Sequence, residues 1–365
     1  MSERRSSPDH LLLFVTFGLL TIGLMMVYSA SVVSATNNFG DPLYFLKRQL
    51  LFAVVGVTLM FLVMKIDYHL WRSWARLALI ICFVLLLVVL IPGVGLARGG
   101  ARSWLGVGAF SIQPSEFMKF ALIIFLSKYL SEHQDSLHSF TKGLMVALLP
   151  VFLAFGVIMC QPDLGTGTVL VLTCMMMIFI AGARVKHFLV MGLAGAGGAV
   201  ALILSAPYRI RRLTAFIDPW QEPNGKGYQI IQSLLAIGPG GLFGFGLGQS
   251  RQKYQFLPEG QNDFIFAIIS EELGLIGASF VLVLFGLLLW RGILIAIKAP
   301  DLFGTLLAVG ITGMIAIQVM INIAVVTGLI PVTGITLPFL SYGGSSLTLI
   351  LVSIGILLNI SRYAH

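Results

Sequence analysis

Residues 261–290 read QNDFIFAIISEELGLIGASFVLVLFGLLLW, an apolar run that opens behind Asp263 and carries two further acids, Glu271 and Glu272. From Phe264 to Trp290 it is long enough to cross the roughly 30 Å hydrocarbon core of a bilayer as a helix. At 1.5 Å per residue the glutamates lie about 12 Å along that helix from Asp263, where ionisation is costly without pairing or hydration. One stretch therefore raises both questions: what the chain is embedded in, and what a carboxylate does at the mouth of a membrane span.

The rest of the chain answers the first. Its 365 residues are 58% hydrophobic and 10% charged, far from the balance of a soluble domain. Apolar runs of span length recur ten times, at roughly 11–33, 46–64, 76–93, 114–131, 143–160, 164–182, 187–205, 264–290, 303–327 and 341–360. The expected fold is all-α: a polytopic membrane protein with about ten transmembrane helices and one long extracellular loop, about residues 206–263. The first run has the length of a full span and no small-residue cleavage site, so it reads as a retained helix. No internal repeat or low-complexity tract interrupts the chain, and the expectation is a single membrane domain over residues 1–365.

Basic residues in short loops orient it. With the N-terminus inside, Arg4, Arg5, Lys65, Arg72, Arg76, Lys128, Lys142, Arg184, Lys186, Arg291, Lys298 and Arg362 are all cytoplasmic, and both termini face the cytoplasm. The net charge of +8 is then explained by membrane lipid at that surface and calls for no nucleic acid. Cys82, Cys160 and Cys174 fall in apolar runs at wide spacing, so neither a disulfide framework nor a zinc site is indicated. All six histidines map inside. Chemistry on the outer face must therefore run on carboxylates, hydroxyls and cations, without a Ser-His-Asp triad.

Four constellations can carry such chemistry. Asp263 can cap the helix behind it, or act as an acid–base group on the outer face. In QPSEFMK (113–119), Glu116 and Lys119 are three apart and share a helix face, either as a structural ion pair or with Lys119 offered to an anionic substrate. In CQPDLGTGT (160–168), Asp163 can cap the sixth span at the same membrane level. Arg48, Arg102, Arg209, Arg211, Arg212, Arg251 and Lys253 gather near the outer face, against the positive-inside tendency, and a phosphate-bearing ligand would explain them. Arg209 and Arg212 can equally be interfacial anchors. The glycines of GPGGLFGFGLGQ follow no strand, so close packing or a re-entrant turn explains them better than a nucleotide loop. SYGGSS, with Ser341 and Ser345, can let helices approach closely or point amides at an anion.

The segment from Asn322 through GLIPVTGI to FLSYGGSS, residues 322–346, resembles the signature of the SEDS polymerases of bacterial cell-wall synthesis. QPSEFMK, CQPDLGTGT, GLGQSRQK and FLPEGQNDFIFAIISEELG stand in that family's order over essentially the whole chain, with a flavour closest to its sporulation branch. One departure is GARSWLGVG, where Ser103 stands before Trp104 in the place many members give to Arg, with Arg102 one residue earlier. The resemblance implies a glycosyltransferase that polymerises lipid II on the outer face, for division or spore cortex, beside a class B penicillin-binding protein that crosslinks the strands. It places the essential acid on Asp263, as base or as ligand to a divalent cation, Mg2+ or Mn2+. Arg48, Arg102, Trp104, Glu116, Lys119, Asp163, Arg209, Arg212, Arg251, Lys253, Ser341 and Ser345 are the expected substrate contacts. The alternatives are a lipid II flippase, which Glu271 and Glu272 favour most, and a non-catalytic scaffold. A flippase should carry its charges through the bilayer midplane, a polymerase at the outer end.

Overall fold

The computed structural model describes residues 7–98, 101–107, 110–204, 216–221, 223, 225, 227–254 and 256–363. In chain order its helices are α1 (His10–Phe39), α2 (Tyr44–Lys65), α3 (His69–Val89), α4 (Pro114–Glu132), α5 (Met145–Met159), α6 (Leu164–Ile180), α7 (Val185–Leu204), α8 (Tyr228–Ile237), α9 (Ile265–Lys298), α10 (Leu302–Val326) and α11 (Gly344–Ser361). Each of the ten apolar runs has become a helix, and α8 lies within the long loop. Among the described residues six of them, α1, α2, α3, α9, α10 and α11, are long and apolar enough to cross a membrane on their own, while α5 and α6 are shorter apolar helices. The charge-bearing α4 packs at the centre, with Met118, Leu122, Ile123 and Leu126 fully buried. Large apolar side chains such as Phe14, Val54, Trp74 and Ile80 face outward, the reverse of a soluble surface and the arrangement that lipid favours.

Several helix ends differ from the hydropathy pattern. The first helix runs past the end of its apolar stretch to Phe39, because its polar last turn still forms helical bonds and only Gly40, at φ 67°, terminates it. The segment between α3 and α4, read from sequence as a plain loop, forms a small antiparallel sheet of β1 (Leu96–Arg98), β2 (Ala101–Val107) and β3 (Phe110–Ile112). Its registers place Leu96 opposite Trp104 and Leu105 opposite Ile112.

The break in α9 resolves the puzzle of its two buried acids. Gly274 sits at φ 66°, ψ −167°, inside an otherwise continuous helix. A side chain there would collide with the backbone of Leu242 and Gly244, so the glycine-rich loop fits against the helix only because position 274 has no Cβ. Loop and helix then exchange backbone bonds: Phe245 N–H to Glu271 O (3.0 Å), Gly246 N–H to Glu272 O (2.9 Å), Leu275 N–H to Gly241 O (2.8 Å) and Ile276 N–H to Leu242 O (3.1 Å). Groups that the kink takes out of the helix ladder are thus satisfied by protein, as irregular backbone inside a membrane requires.

The glutamate side chains complete the join. Glu272, fully buried, accepts from Ser29 Oγ of α1 (2.6 and 2.7 Å) and from Ser250 N–H (3.2 Å). Glu271 accepts from Ser250 Oγ (2.5 Å), Arg251 N–H (2.9 Å) and Gln252 N–H (3.4 Å). Both carboxylates are spoken for by the loop and by α1, which makes them a packing device and removes the main argument for a charge relay through the bilayer.

The end of the bundle remote from Asp263 is closed by polar bonds. Asp9 caps α1 through Leu12 N–H (2.9 Å) and pairs with Arg291 of α9 (2.5 Å). Tyr68 donates its hydroxyl to Asp301 (2.7 Å), and Asn359 of α11 joins the Tyr68 amide (2.9 Å) to the Met64 carbonyl (2.8 Å).

Candidate active site

The opposite end opens into a cavity of about 960 Å³. Its walls come from α2 (Arg48, Phe52), the small sheet (Ser103, Trp104, Ser111), α4 (Glu116, Lys119), the start of α6 (Asp163, Thr166), the turn before α9 (Glu259, Asn262, Asp263), α10 (Gln318), the broken segment 331–336 and the turn into α11 (Tyr342 to Ser346).

Asp263 is buried on this wall and does not cap α9, contrary to the capping alternative. The N-cap is Phe264, without a side-chain cap bond. That one-residue offset leaves the carboxyl to the cavity. Burial pushes the Asp263 carboxyl up to about 7, and the neighbouring Glu259 charge adds to the shift. Its backbone is fixed from α10: the Asn322 amide donates to the carbonyls of both Asp263 and Ile335, at 2.7 Å each. Gln49 of α2 holds the other side, donating to Ser341 O (3.1 Å) and accepting from Gly343 N–H (3.2 Å). Tyr342 N–H bonds Gln261 O (2.9 Å), so the turn into α11 and the segment before Asp263 form one tied rim.

Glu116 and Lys119 pair at 2.7 Å, both largely buried. Pro114 occupies the first turn of α4, and Glu116 lies in that turn, where the helix dipole favours a negative charge. Asp163 caps α6 as expected, accepting from Thr166 N–H (3.0 Å), and receives the Gln113 amide (2.8 Å) that ties α4 to α6.

Of the expected substrate contacts, Arg48, Trp104, Glu116, Lys119, Asp163 and Ser345 therefore share the cavity with Asp263. Four others are placed elsewhere. Arg102 is exposed on β2, its stem against Gly95. Arg251 is exposed with its guanidinium 4.8 Å from the Phe245 ring, because its loop is turned toward Glu271. Lys253 is buried, donating to Gly248 O and lying 3.8 Å from Glu272. Ser341 is buried, its hydroxyl taken by Leu337 N–H (2.7 Å). Arg209 and Arg212 lie outside the described residues.

The cavity also holds residues that sequence reading passed over. Glu259, at φ 55° in the turn before α9, accepts from the Asn262 amide. Gln318 lines the wall one helical turn from Asn322. A pair of amides at i,i+4 in an apolar span is a signal in itself, since polar groups there must face protein or a cavity. Among the described residues no group of three or more His, Cys, Asp or Glu side chains is placed to hold a metal ion. A divalent cation would rest on Asp263 and Glu259, with the Asn262 Oδ1, which is buried without a partner, as a further oxygen. Hard cations that keep water and phosphate ligands accept such a partial set.

A polytopic membrane protein whose polar chemistry is gathered at one end around a buried carboxyl is the class these features define. A family model described as cell cycle protein, covering FtsW, RodA and SpoVE, matches residues 10–365. The chain is 65% identical over 365 residues to stage V sporulation protein E of Bacillus subtilis (strain 168), covering 100% of both. It is 44% identical to a probable peptidoglycan glycosyltransferase FtsW of Geobacter sp. (strain M18), covering 98% of each. Among solved structures it superposes on a chain of a peptidoglycan synthase complex that coordinates polymerization and crosslinking, with a TM-score of 0.82 at 30% identity over 97% of this chain and 98% of that one. The rod shape determining protein RodA of Thermus thermophilus gives a TM-score of 0.71 at 29% identity over 98% of each chain. The chain belongs to the FtsW/RodA/SpoVE family.

Proposed function

We propose that the chain is a peptidoglycan glycosyltransferase that polymerises lipid II into β-1,4 glycan strands on the outer face of the membrane, for division or spore cortex. The observation that carries this reading is Asp263, a buried carboxyl pushed up to about 7 on the wall of a large cavity, in a family whose members include named glycosyltransferases. A carboxyl with that affinity for protons is suited to take one at neutral pH.

In the reaction the acceptor sugar's 4-hydroxyl attacks the anomeric carbon of the donor. Its proton passes to Asp263, the new C–O bond forms, and the bond to the diphosphate oxygen breaks with both electrons leaving on the polyprenyl diphosphate. A single displacement converts the α-linked diphosphate into a β linkage and needs one base. In its alternative role Asp263 would, with Glu259, hold a divalent cation, Mg2+ or Mn2+, which would neutralise charge on the diphosphate. Asn322 and Gln49 position the rim, while Glu116 holds Lys119 in place on the wall.

The excess of basic residues at the far end supports an orientation with both termini cytoplasmic and the cavity outside. The likeness to a complex of polymerization and crosslinking supports a class B penicillin-binding protein as partner. The deciding experiment is glycan-strand formation from lipid II by purified protein with its partner. Wild type should produce strands and Asp263→Ala, folded to the same melting temperature, should produce none; near wild-type polymerisation by the variant would remove Asp263 from the chemistry.

A further inference from the structure

The end of the bundle remote from Asp263 holds a second cavity, of about 360 Å³, large enough to receive a small ligand group. Its walls are the start of α1 (Asp9 to Leu11), the last two turns of α9 (Arg291, Leu294 and Lys298) and Ser361 at the end of α11. None of its described residues belongs to the cavity around Asp263.

Charge in this cavity is unbalanced. Asp9, the one carboxylate among its described residues, is fully engaged: Oδ1 accepts from Leu12 N–H (2.9 Å), and Oδ2 accepts from Nε (2.8 Å) and Nη2 (2.5 Å) of Arg291. Ser361 Oγ is also occupied, accepting from Asp9 N–H (3.2 Å) and donating to Leu358 O (2.8 Å). The Nη1 group of Arg291 finds no acceptor among the described residues, and no carboxylate among them lies within ion-pair distance of Lys298. Two cations against one consumed acid leave a positive charge in excess, which calls for an anion. The surroundings say what kind. Leu11 and Leu294 line the cavity itself, and within one turn of them Phe14 on α1 and Ile293 on α9 are exposed. Trp290 is exposed as well, its ring 5.6 Å from the Arg291 guanidinium, the placement of an aromatic side chain at a membrane surface. A basic recess between membrane helices that continues into apolar faces matches a ligand with an anionic head and hydrocarbon chains.

We propose that this cavity is a binding site for the headgroup phosphate of an anionic phospholipid such as phosphatidylglycerol, held by the Lys298 ammonium and the remaining amino group of Arg291, with the acyl chains along the exposed apolar faces of α1 and α9. An ammonium and a guanidinium beside one another suit a phosphodiester, the first as a point charge and the second as a planar donor. Asp9 is a positioning residue in this site, since its two bonds to Arg291 hold the guanidinium on the wall. The site does not rest on the polymerisation reading. In the orientation proposed above it opens to the cytoplasmic leaflet.

The test uses the full-length protein in detergent, with short-chain phosphatidylglycerol as the probe and phosphatidylcholine of the same chains and inorganic phosphate as comparison ligands, read by native mass spectrometry and thermal unfolding. Wild type should retain phosphatidylglycerol over phosphatidylcholine and gain melting temperature from it, while inorganic phosphate at the same concentration gives neither effect. Lys298→Gln should weaken phosphatidylglycerol by about fivefold, the worth of one basic side chain at a lipid surface, and Lys298→Arg should keep most of the affinity. The Lys298 amino group bonds nothing among the described residues, so Lys298→Gln without lipid should melt as wild type does, whereas loss of Arg291 would strand the Asp9 charge. Lys65→Gln removes an equal charge from an exposed position in the last turn of α2, at the same end of the bundle, and should leave the affinity unchanged. Equal retention of the two lipids or unchanged affinity in Lys298→Gln would overturn the site. So would an equal loss in Lys65→Gln, which would reduce it to diffuse surface charge, and stabilisation by inorganic phosphate alone, which would make it a site for the free anion.

Discussion

A carboxyl whose proton affinity has been raised by burial makes a prediction in pH. As the proposed base Asp263 must be ionised to work, and its value of about 7 places the ascending limb of kcat/KM near neutrality, with activity lost as pH falls. After burial, the Glu259 charge is the other influence that raises it, so Glu259→Gln should move that limb to lower pH; a limb that stays in place would detach Glu259 from Asp263. The pair on α4 makes a prediction in stability. Removing either Glu116 or Lys119 leaves a buried charge unmatched and should cost about 3 kcal/mol, whereas the double change Glu116→Gln with Lys119→Met should recover most of the loss, as measured by thermal unfolding in detergent. Recovery of the melting temperature without recovery of strand synthesis would assign Lys119 to the substrate. Asp263, Glu116 and Lys119 were all legible in sequence as charges in or beside apolar runs. Whether each caps, pairs or faces a cavity was not, because a shift of one residue, such as Phe264 taking the cap of α9, changes the answer.

Among the elements, α9 and the small sheet show where pattern reading stops. Hydropathy gives α9 as one span, yet the part nearest Asp263 is separated by the Gly274 break and held by the loop from Gly240 to Lys253. Gly274→Ala forces a left-handed backbone on a residue with a Cβ and drives that Cβ into Leu242 and Gly244; a loss of about 2 kcal/mol or more is expected. The loop should then become accessible to protease, and an unchanged cleavage pattern would show that the loop is held by something other than this fit. The sheet between α3 and α4 brings Ser103, Trp104 and Ser111 to the cavity. Its signal was present in the sequence, with Gly99-Gly100 between two short stretches and alternation along ARSWLGV, but strands this short pair only where a helix bundle supplies a surface to cover.

For the molecule as a whole, the arrangement of charge separates a polymerising site from a channel of charges across the bilayer: the cavity acids sit at one end, and the deep pair Glu271 and Glu272 is consumed by the loop and α1. Its orientation is open to a direct check. Cys160 is exposed in the turn three residues before Asp163, the cap of α6, while Cys82 and Cys174 are buried. A membrane-impermeant maleimide should therefore label intact cells at Cys160 and lose that labelling in Cys160→Ser; labelling only after the membrane is opened would put the cavity inside. By itself the sequence determined that the chain is a many-helix membrane protein and where its helices lie, since hydrophobic run length and the expense of charge in lipid act locally along the chain. Only the tertiary structure decided which polar residues meet: Arg48 with the start of α11, Asn322 with Asp263 and Ile335, Glu272 with Ser29. Those contacts join positions tens to hundreds of residues apart, and they exist because packed helices must satisfy buried polar groups across their interfaces, a requirement that no local pattern encodes.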